Sequence, residues 1–152
     1  MKSFLAYEMQ YTGNASEVNL NLIPFSDIYY SQYEQIYNEC FFEMREALEV
    51  HPLAVYSDIS QLSERKKDIF LLLENNTIIG SVACYGTEID DLIVSRKFQG
   101  KGYGRKLLQW AISHIRESSD APITLHVADW NKKAIRMYLD AGFVVIKKQQ
   151  IN

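Results

Sequence analysis

The sequence has little cysteine, little proline and no long apolar run. Its two cysteines, Cys40 and Cys84, form no CxxC pair and lie among apolar residues, which excludes a disulfide scaffold and predicts buried thiols in a reducing compartment. Three prolines and a hydrophobic fraction of 47% exclude a disordered or fibrous chain. Apolar runs such as residues 69–73 are far shorter than the ~20 residues of a membrane span. We therefore expect a cytoplasmic protein with no membrane contact.

Metal-ligand spacing is also lacking. The three histidines, His51, His114 and His126, are far apart in the sequence and form no cluster with cysteine, so we expect no metal. With 152 residues, the chain is long enough to bury one core, and we expect a single domain over 1–152.

The net charge of −3 hides two halves of opposite sign. Residues 1–95 hold five Lys/Arg against fifteen Asp/Glu, a net of −10, whereas residues 96–152 hold eleven against four, a net of +7. The basic half suggests an anionic partner. Its cations are not interleaved with exposed aromatic residues, so no nucleic acid is expected.

Hydrophobic periodicity predicts a mixed α/β chain without repeats. Two extended segments, Phe4–Tyr11 and 18–25, flank a turn with Gly13 and Asn14, which predicts an N-terminal hairpin. The other predicted elements are a helix over 26–48, a short polar helix over 59–67, strands over 69–74, 78–85 and 88–94, a helix over 103–118, a strand over 123–127, a helix over 132–141 and a strand over 143–148. This order predicts a mixed sheet with helices on both faces.

Three of the seven glycines, Gly100, Gly102 and Gly104, fall within five residues where a strand ends and a helix begins. Glycine lets backbone N–H groups turn toward a ligand, and the start of a helix offers unpaired donors and a positive dipole end. A tight turn alone would need one glycine. The pattern therefore indicates a phosphate site, and five neighbouring cations would attract the same ligand: Arg96, Lys97, Lys101, Arg105 and Lys106.

Two other phosphate-binding loops are excluded by the residues present. In a Walker loop, Lys101 would precede Ser or Thr, but Gly102 follows it, and Ser95 stands where the first glycine is required. The dinucleotide fingerprint would need a third glycine at Arg105.

The core Gln99-x-x-Gly102-x-Gly104 resembles the acetyl-CoA signature of the GNAT-type N-acetyltransferase superfamily. Downstream, Asn131, Tyr138 seven residues later, and then residues 141–143 (Ala-Gly-Phe) resemble the second motif of that family in spacing and order. The resemblance covers most of the chain and implies a mixed, mostly antiparallel central sheet of α/β (α+β) type, with an extra N-terminal strand or hairpin.

The resemblance also implies a role for individual residues. The strand backbone at Leu92, Ile93 and Val94 would pair with the pantetheine arm of acetyl-CoA, and Asn131 would contact the same cofactor. The Tyr138 hydroxyl would protonate the leaving thiolate, although on its predicted helix it could equally be a core aromatic. The pyrophosphate would bind the loop that Gln99 opens, at the amides of Gly100, Lys101, Gly102, Tyr103, Gly104 and Arg105.

Amine acetylation also needs a proton acceptor. Glu88 is our first choice, because it lies six residues before Val94, where some family members carry a catalytic glutamate, and Asp90 is our second. Strand alternation puts Glu88 and Asp90 on one face and Asp91, a further candidate, on the other. His126 stands where other family members carry a glutamate base, and a water molecule is a further alternative. Each acid taken alone could simply pair with a Lys or Arg. Cys84 is excluded as nucleophile because burial would raise its pKa.

The expected function is acetyl-CoA-dependent transfer to a primary amine of a small molecule or peptide, directly within a ternary complex. The acidic half would suit a cationic acceptor such as a polyamine, an aminoglycoside or a lysine side chain. Alternatives are a non-catalytic acyl-CoA-binding or regulatory domain, and an interaction domain whose acidic half docks a partner. An exposed sheet edge would permit a homodimer.

One departure from the family concerns the last strand. Family members commonly end with two strands after the second motif, but this sequence leaves room for one. We expect Phe4–Tyr11 either to pair with residues 18–25 at the sheet edge or to complete the sheet where the missing strand would lie.

Overall fold

The computed structural model describes residues 1–15 and 17–152; Ser16, in the predicted N-terminal turn, lies outside the described residues. The strands are β1 Phe4–Tyr11, β2 Ile23–Pro24, β3 Ile69–Glu74, β4 Thr77–Tyr85, β5 Glu88–Val94, β6 Thr124–Ala128 and β7 Phe143–Ile151. The helices are α1 Tyr30–Ala47, α2 Tyr103–Arg116 and α3 Lys132–Ala141. The predicted order of elements is confirmed from α1 to β7. The predicted polar helix over 59–67 is instead two short 3₁₀ turns, Ile59–Leu62 and Lys66–Asp68.

The prediction of an N-terminal hairpin is wrong. Within residues 18–25 only β2 is a strand, and it pairs antiparallel with β3. In the sheet order β2-β3-β4-β5-β6-β1-β7, β1 lies between β6 and β7 and is antiparallel to both. A strand in that position has ladder partners on both edges, whereas a hairpin partner would satisfy only one edge. The alternative expectation is that β1 completes the sheet where the missing strand would lie, and β1 does lie within the sheet, paired with the last strand.

Helices cover both faces of the seven-stranded sheet, as the sequence predicts. α1 packs Tyr33, Ile36 and Tyr37 on one face, against residues of β3, β4 and β5. α2 packs Leu108 and Ile112 on the other face, and α3 lies on that side too. Within residues 1–15 and 17–152, we find no helix that has both the length and the apolar composition of a membrane span.

The sheet opens between β5 and β6. These strands run parallel, and within the described chain they are in register at one pair only, Glu88 with Thr124. Beyond that pair the two strands separate toward their C-terminal ends. A parallel pair that separates in this way leaves a crevice at the carboxyl ends of its strands, where ligands bind in open α/β sheets.

Candidate active site

The crevice between β5 and β6 contains two adjoining cavities. The loop cavity, of about 460 Å³, is bordered by the 99–105 loop and the start of α2. The aspartate cavity, of about 490 Å³, is bordered by Asp90, Asp91 and the second half of α1. Six residues line both cavities and so mark the place where they meet: Phe41, Met44, Leu92, Asn131, Ala134 and Met137.

The glycine loop presents backbone donors to the loop cavity. Gly100 and Gly102 have φ angles of 76° and 86°, and a side chain at either would be strained, although there is open space around both. Gly102 is the N-cap of α2 and provides no capping side chain. The amides of the first turn of α2, beginning with Tyr103, Gly104 and Arg105, therefore lack the partner that a cap would supply.

The cations around this loop are available to an anion. Lys101 and Lys106 lie over the rings of Phe98 and Tyr103, at 5.6 and 5.4 Å from the ring centroids. Within the described chain no carboxylate lies within 4.0 Å of the cations of this region, which are Arg96, Lys97, Lys101, Arg105 and Lys106. The loop cavity thus combines free amides with unpaired positive charge, as a phosphate site requires.

The backbone of β5 turns one edge toward the crevice. The Ser95 N–H donates to Ile79 O of β4. Hydrogen-bonded pairs alternate along an antiparallel ladder, so Ser81 and Ile93, two residues further along, also form a hydrogen-bonded pair. Val94 and Leu92 consequently point their N–H and C=O groups away from β4. Val94 O accepts a hydrogen bond from the Gln99 amide at 3.0 Å, and Cys40 Sγ lies 3.3 Å from it.

Two residues of the second motif border the crevice from α3. The Asn131 side chain caps α3 by accepting a hydrogen bond from Ala134 N–H at 3.2 Å, and it lines both cavities. Tyr138 lines the aspartate cavity, and its ring packs edge-on against Phe143 with the centroids 6.0 Å apart. Among the described residues, no group hydrogen-bonds the Tyr138 hydroxyl. Tyr138 is therefore both a core aromatic and a residue of the crevice.

A β-bulge corrects the prediction for the aspartates. Between the pairs Ser81–Ile93 and Ala83–Asp90, β4 has one residue and β5 has two, and Asp91 has a φ of 50°. Regular alternation would have turned Asp91 to the opposite face from Asp90. The extra residue resets the alternation, so both carboxyl groups border the aspartate cavity.

Tyrosines hold the bulge from the α1 face. The Tyr37 hydroxyl donates to Asp91 Oδ1 at 2.8 Å, and the Tyr85 hydroxyl donates to Asp91 Oδ2 at 3.3 Å. Asp91 N–H donates to Asp90 Oδ1 at 2.7 Å. Asp91 is 8% exposed, whereas Asp90 is open to solvent within the concave cavity. Asp91 thus fixes the bulge, and Asp90 is the carboxyl group that a ligand can reach.

The surroundings shift the pKa of both carboxyl groups upward. The pKa of Asp90 is raised to about 6, mainly because the surrounding protein removes the carboxyl group from water and secondly because of the charge of Asp91. Burial raises the pKa of Asp91, although the hydrogen bonds from Tyr37 and Tyr85 oppose the rise. Burial, with a smaller contribution from Asp90, raises the pKa of the Tyr138 hydroxyl to about 12. Asp90 and Tyr138 line the same cavity, and the charge of Asp90 acts on the hydroxyl there.

Glu88 pairs with His126 and not with an aspartate. Its Oε1 is 2.7 Å from Nδ1 of His126, whose Nε2 is 3.8 Å from Glu8 Oε1. His126 lines the aspartate cavity, but Glu88 is outside its lining. The structure thus brings two predicted proton acceptors, Glu88 and His126, into one pair, and His126 of that pair lines the same cavity as Asp90.

The two cysteines are free thiols. Cys84 is buried in the sheet, and burial raises its pKa to about 12, which is unfavourable for a nucleophile. Burial also raises the pKa of Cys40, which is only partly buried.

Sequence reasoning missed two features of this site. The tyrosines that hold the bulge lie on α1 and β4, and only the fold brings them to Asp91. Arg45 and Arg65 also line the aspartate cavity. The four-residue spacing of Tyr37, Phe41 and Arg45 could have indicated that Arg45 lies on the same face of α1 as the two aromatic residues.

Comparisons with known proteins agree on one family. The model of the acetyltransferase (GNAT) family matches residues 30–143. A stretch of 59 residues, 39% of this chain, is 42% identical to mycothiol acetyltransferase of Propionibacterium freudenreichii subsp. shermanii and covers 19% of that protein.

Solved structures show the same fold. An acetyltransferase of the GNAT family from Novosphingobium aromaticivorans superposes with a TM-score of 0.71 at 11% identity, covering 99% of this chain and 63% of the other. One from Colwellia psychrerythraea gives 0.71 at 14% identity, with 99% and 56% covered. The ribosomal-protein-S18-alanine N-acetyltransferase of Escherichia coli gives 0.60 at 19% identity, with 80% and 76% covered. The chain thus spans less than two thirds of the first two proteins.

The aspartate pair yields a prediction that is independent of activity. We expect Asp90 to titrate near pH 6, and Asp91→Asn to lower that midpoint because it removes a neighbouring negative charge. The measurement is a carbon NMR titration of the side-chain carboxyl groups. Asp27→Asn, at an exposed ion pair with Lys66, is the control and should leave Asp90 unchanged. An Asp90 midpoint that does not move in Asp91→Asn would contradict the coupling.

Proposed function

Because the chain belongs to the acetyltransferase (GNAT) family, we propose that it transfers the acetyl group of acetyl-CoA to a primary amine of a small molecule or peptide. Transfer is direct, within a ternary complex that fills both cavities. The observation that carries the proposal is that Asp90 and Tyr138 both line the aspartate cavity, which shares a wall with the loop cavity.

The loop cavity suits coenzyme A because its donors match the charged part of that molecule. Backbone amides from Gly100 to Arg105 would hold the pyrophosphate, and the unpaired cations would offset its charge. Acetyl-CoA, when bound, supplies an acetyl thioester. Leu92 and Val94 would hydrogen-bond the pantetheine arm as an added strand does, because their backbone groups face the crevice. The free amide nitrogen of the Asn131 side chain would contribute a further donor.

Asp90 fits the part of the proton acceptor better than Glu88. It lines the cavity, whereas Glu88 is turned to His126. A carboxyl group with a pKa of about 6 is ionised at neutral pH and is a stronger base than an ordinary aspartate. Asp90 would take a proton from the acceptor ammonium, leaving a nitrogen lone pair to attack the acetyl carbon.

Tyr138 fits the part of the proton donor. As the nitrogen–carbon bond forms and the carbon–sulfur bond breaks, its hydroxyl would give a proton to the leaving sulfur. That hydroxyl has no protein partner among the described residues, so it is free to donate. The proton held by Asp90 then restores the hydroxyl, and the nitrogen loses its second proton to solvent as the amide forms. Of the two protons that the ammonium gives up, one ends on the thiol and the other in solvent.

Coenzyme release tests the proposal. The protein is mixed with acetyl-CoA and a panel of polyamines, aminoglycosides, lysine peptides and amino acids, and free thiol is followed with time. We expect release with at least one amine, and calorimetric binding of acetyl-CoA without any amine. Binding with no release across the panel would favour a non-catalytic acyl-CoA-binding domain. No binding would overturn the proposal.

The pH profile separates the two candidate bases. In the unchanged protein, kcat/KM should rise through about pH 6 as Asp90 ionises. Asp90→Asn should remove that limb and lower the rate by roughly 10²- to 10⁴-fold, the usual contribution of a general base. Glu88→Gln is the matched variant and should keep the limb. Loss of the limb in Glu88→Gln instead would assign the base to the Glu88–His126 pair.

Removing one oxygen tests Tyr138. Tyr138→Phe should lower kcat by about 10²-fold or more, because one proton donor to the transition state is lost. Calorimetry should give an unchanged affinity for acetyl-CoA. Tyr11→Phe is the control, since Tyr11 also packs on Phe143 but lines neither cavity. An unchanged kcat in Tyr138→Phe would remove Tyr138 from this role.

A further inference from the structure

Arg45 is a cation without a partner in the wall of the aspartate cavity. It belongs to the last turn of α1 and lines the aspartate cavity, but it does not line the loop cavity. Its Nη1 is buried and has no hydrogen-bond partner among the described residues. In the same part of the chain, no carboxylate lies within 4.0 Å of its guanidinium group.

Such an arrangement is costly unless something compensates it. A buried guanidinium nitrogen loses water, and the loss is recovered only through a hydrogen bond or an opposite charge. The position of Arg45 near the C-terminal end of α1 offers a modest favourable dipole interaction. That interaction gives Nη1 no acceptor. An anion that enters the cavity would supply both the hydrogen-bond acceptor and the opposite charge.

The other charges of the aspartate cavity are arranged differently. Asp90 and Asp91 lie on β5, and Arg65 is the cation that acts on both of them. Arg45 forms no ion pair with either aspartate. Apolar residues that line the same cavity include Phe4, Leu48 and Val50. The cavity thus has an acidic region on β5 and a separate basic position on α1.

We propose that Arg45 binds an anionic group of the acceptor, so that the acceptor is a small zwitterion of amino-acid type, with its amine at Asp90 and its carboxylate or phosphate at Arg45. This proposal rests on the proposed function, because it treats the aspartate cavity as the acceptor site. An arginine fork matches carboxylate and phosphate oxygens in bidentate geometry, which a lysine cannot do. A cavity of about 490 Å³ has room for a molecule of this size. A plain polyamine would leave Arg45 unpaired.

The test compares pairs of ligands that differ only in the anionic group. The probes are the twenty proteinogenic L-amino acids, each beside its α-carboxamide, and phosphoethanolamine beside ethanolamine. Binding to the full chain saturated with coenzyme A is measured by calorimetry, so no turnover is required. The variants are Arg45→Met and Arg45→Lys. Arg136→Met is the matched control, because Arg136 is exposed and lines neither cavity.

We expect at least one amino acid, or phosphoethanolamine, to bind at least 10-fold more tightly than its neutral partner. That preference should vanish in Arg45→Met, be partly restored in Arg45→Lys and persist in Arg136→Met. The melting temperature of Arg45→Met should not fall, since an unpaired buried group has been removed. The amino-acid and phosphoethanolamine arms distinguish a carboxylate from a phosphate.

Two results would overturn the proposal: neutral partners that bind as well as the charged ones across the panel, or a preference that survives in Arg45→Met. Acetyl transfer to the same ligands is measured separately. Release of coenzyme with plain amines but no anion preference would overturn the Arg45 inference and leave the proposed function standing. Anion preference without any transfer would support Arg45 binding and count against the proposed function.

Discussion

The crevice depends on the hydrogen bond from the Tyr37 hydroxyl to Asp91. That bond, 2.8 Å long and buried, holds a non-glycine residue with a φ of 50° in the middle of a sheet. A positive φ at such a residue is unfavourable and persists only where surrounding contacts enforce it. With Asp91 held against α1, Asp90 also turns into the crevice, and the backbone beyond the bulge resumes its alternation in a shifted phase.

The same bulge connects the two cavities. Beyond it, Ile93 pairs with Ser81 of β4, while Leu92 and Val94 direct their backbone groups toward the crevice and the glycine loop that follows. The chain therefore passes from the acidic region, through an open strand edge, to the uncapped start of α2. The net charge changes sign near residue 95 because the acidic part of the sequence ends there and the basic loop begins. An anion is attracted to the basic loop, and a cationic group is attracted to the aspartates.

Much of this could be predicted from the sequence, because glycine spacing and hydrophobic periodicity act over short stretches of chain. Gly100 and Gly102 have positive φ angles that favour glycine, and the predicted order of helices and strands from α1 to β7 is confirmed, except that the polar helix over 59–67 is two short 3₁₀ turns. The strands that pair with β1 could not be predicted from the sequence, because the alternation of residues in β1 is compatible with many pairing partners. Two alternatives were open, and long-range pairing with β6 and β7 selected one.

The face of Asp91 was predicted wrongly for a related reason. A bulge depends on a tertiary hydrogen bond from α1, and no local pattern in residues 88–94 signals it. The unpaired Nη1 of Arg45 was also out of reach, because burial and missing partners are properties of the packed chain. The sequence therefore indicated which residue types form the site better than it indicated how their side chains are oriented.

Amide hydrogen exchange by NMR, with and without coenzyme A, tests most directly whether the bulge frees one edge of β5 for a ligand. The N–H groups of Leu92 and Val94 should exchange quickly in the free protein and become protected when coenzyme A binds, whereas Ile93 should be protected in both states through its pairing with Ser81. Fast exchange at Ile93, or coenzyme A binding that leaves Leu92 and Val94 unprotected, would contradict the account.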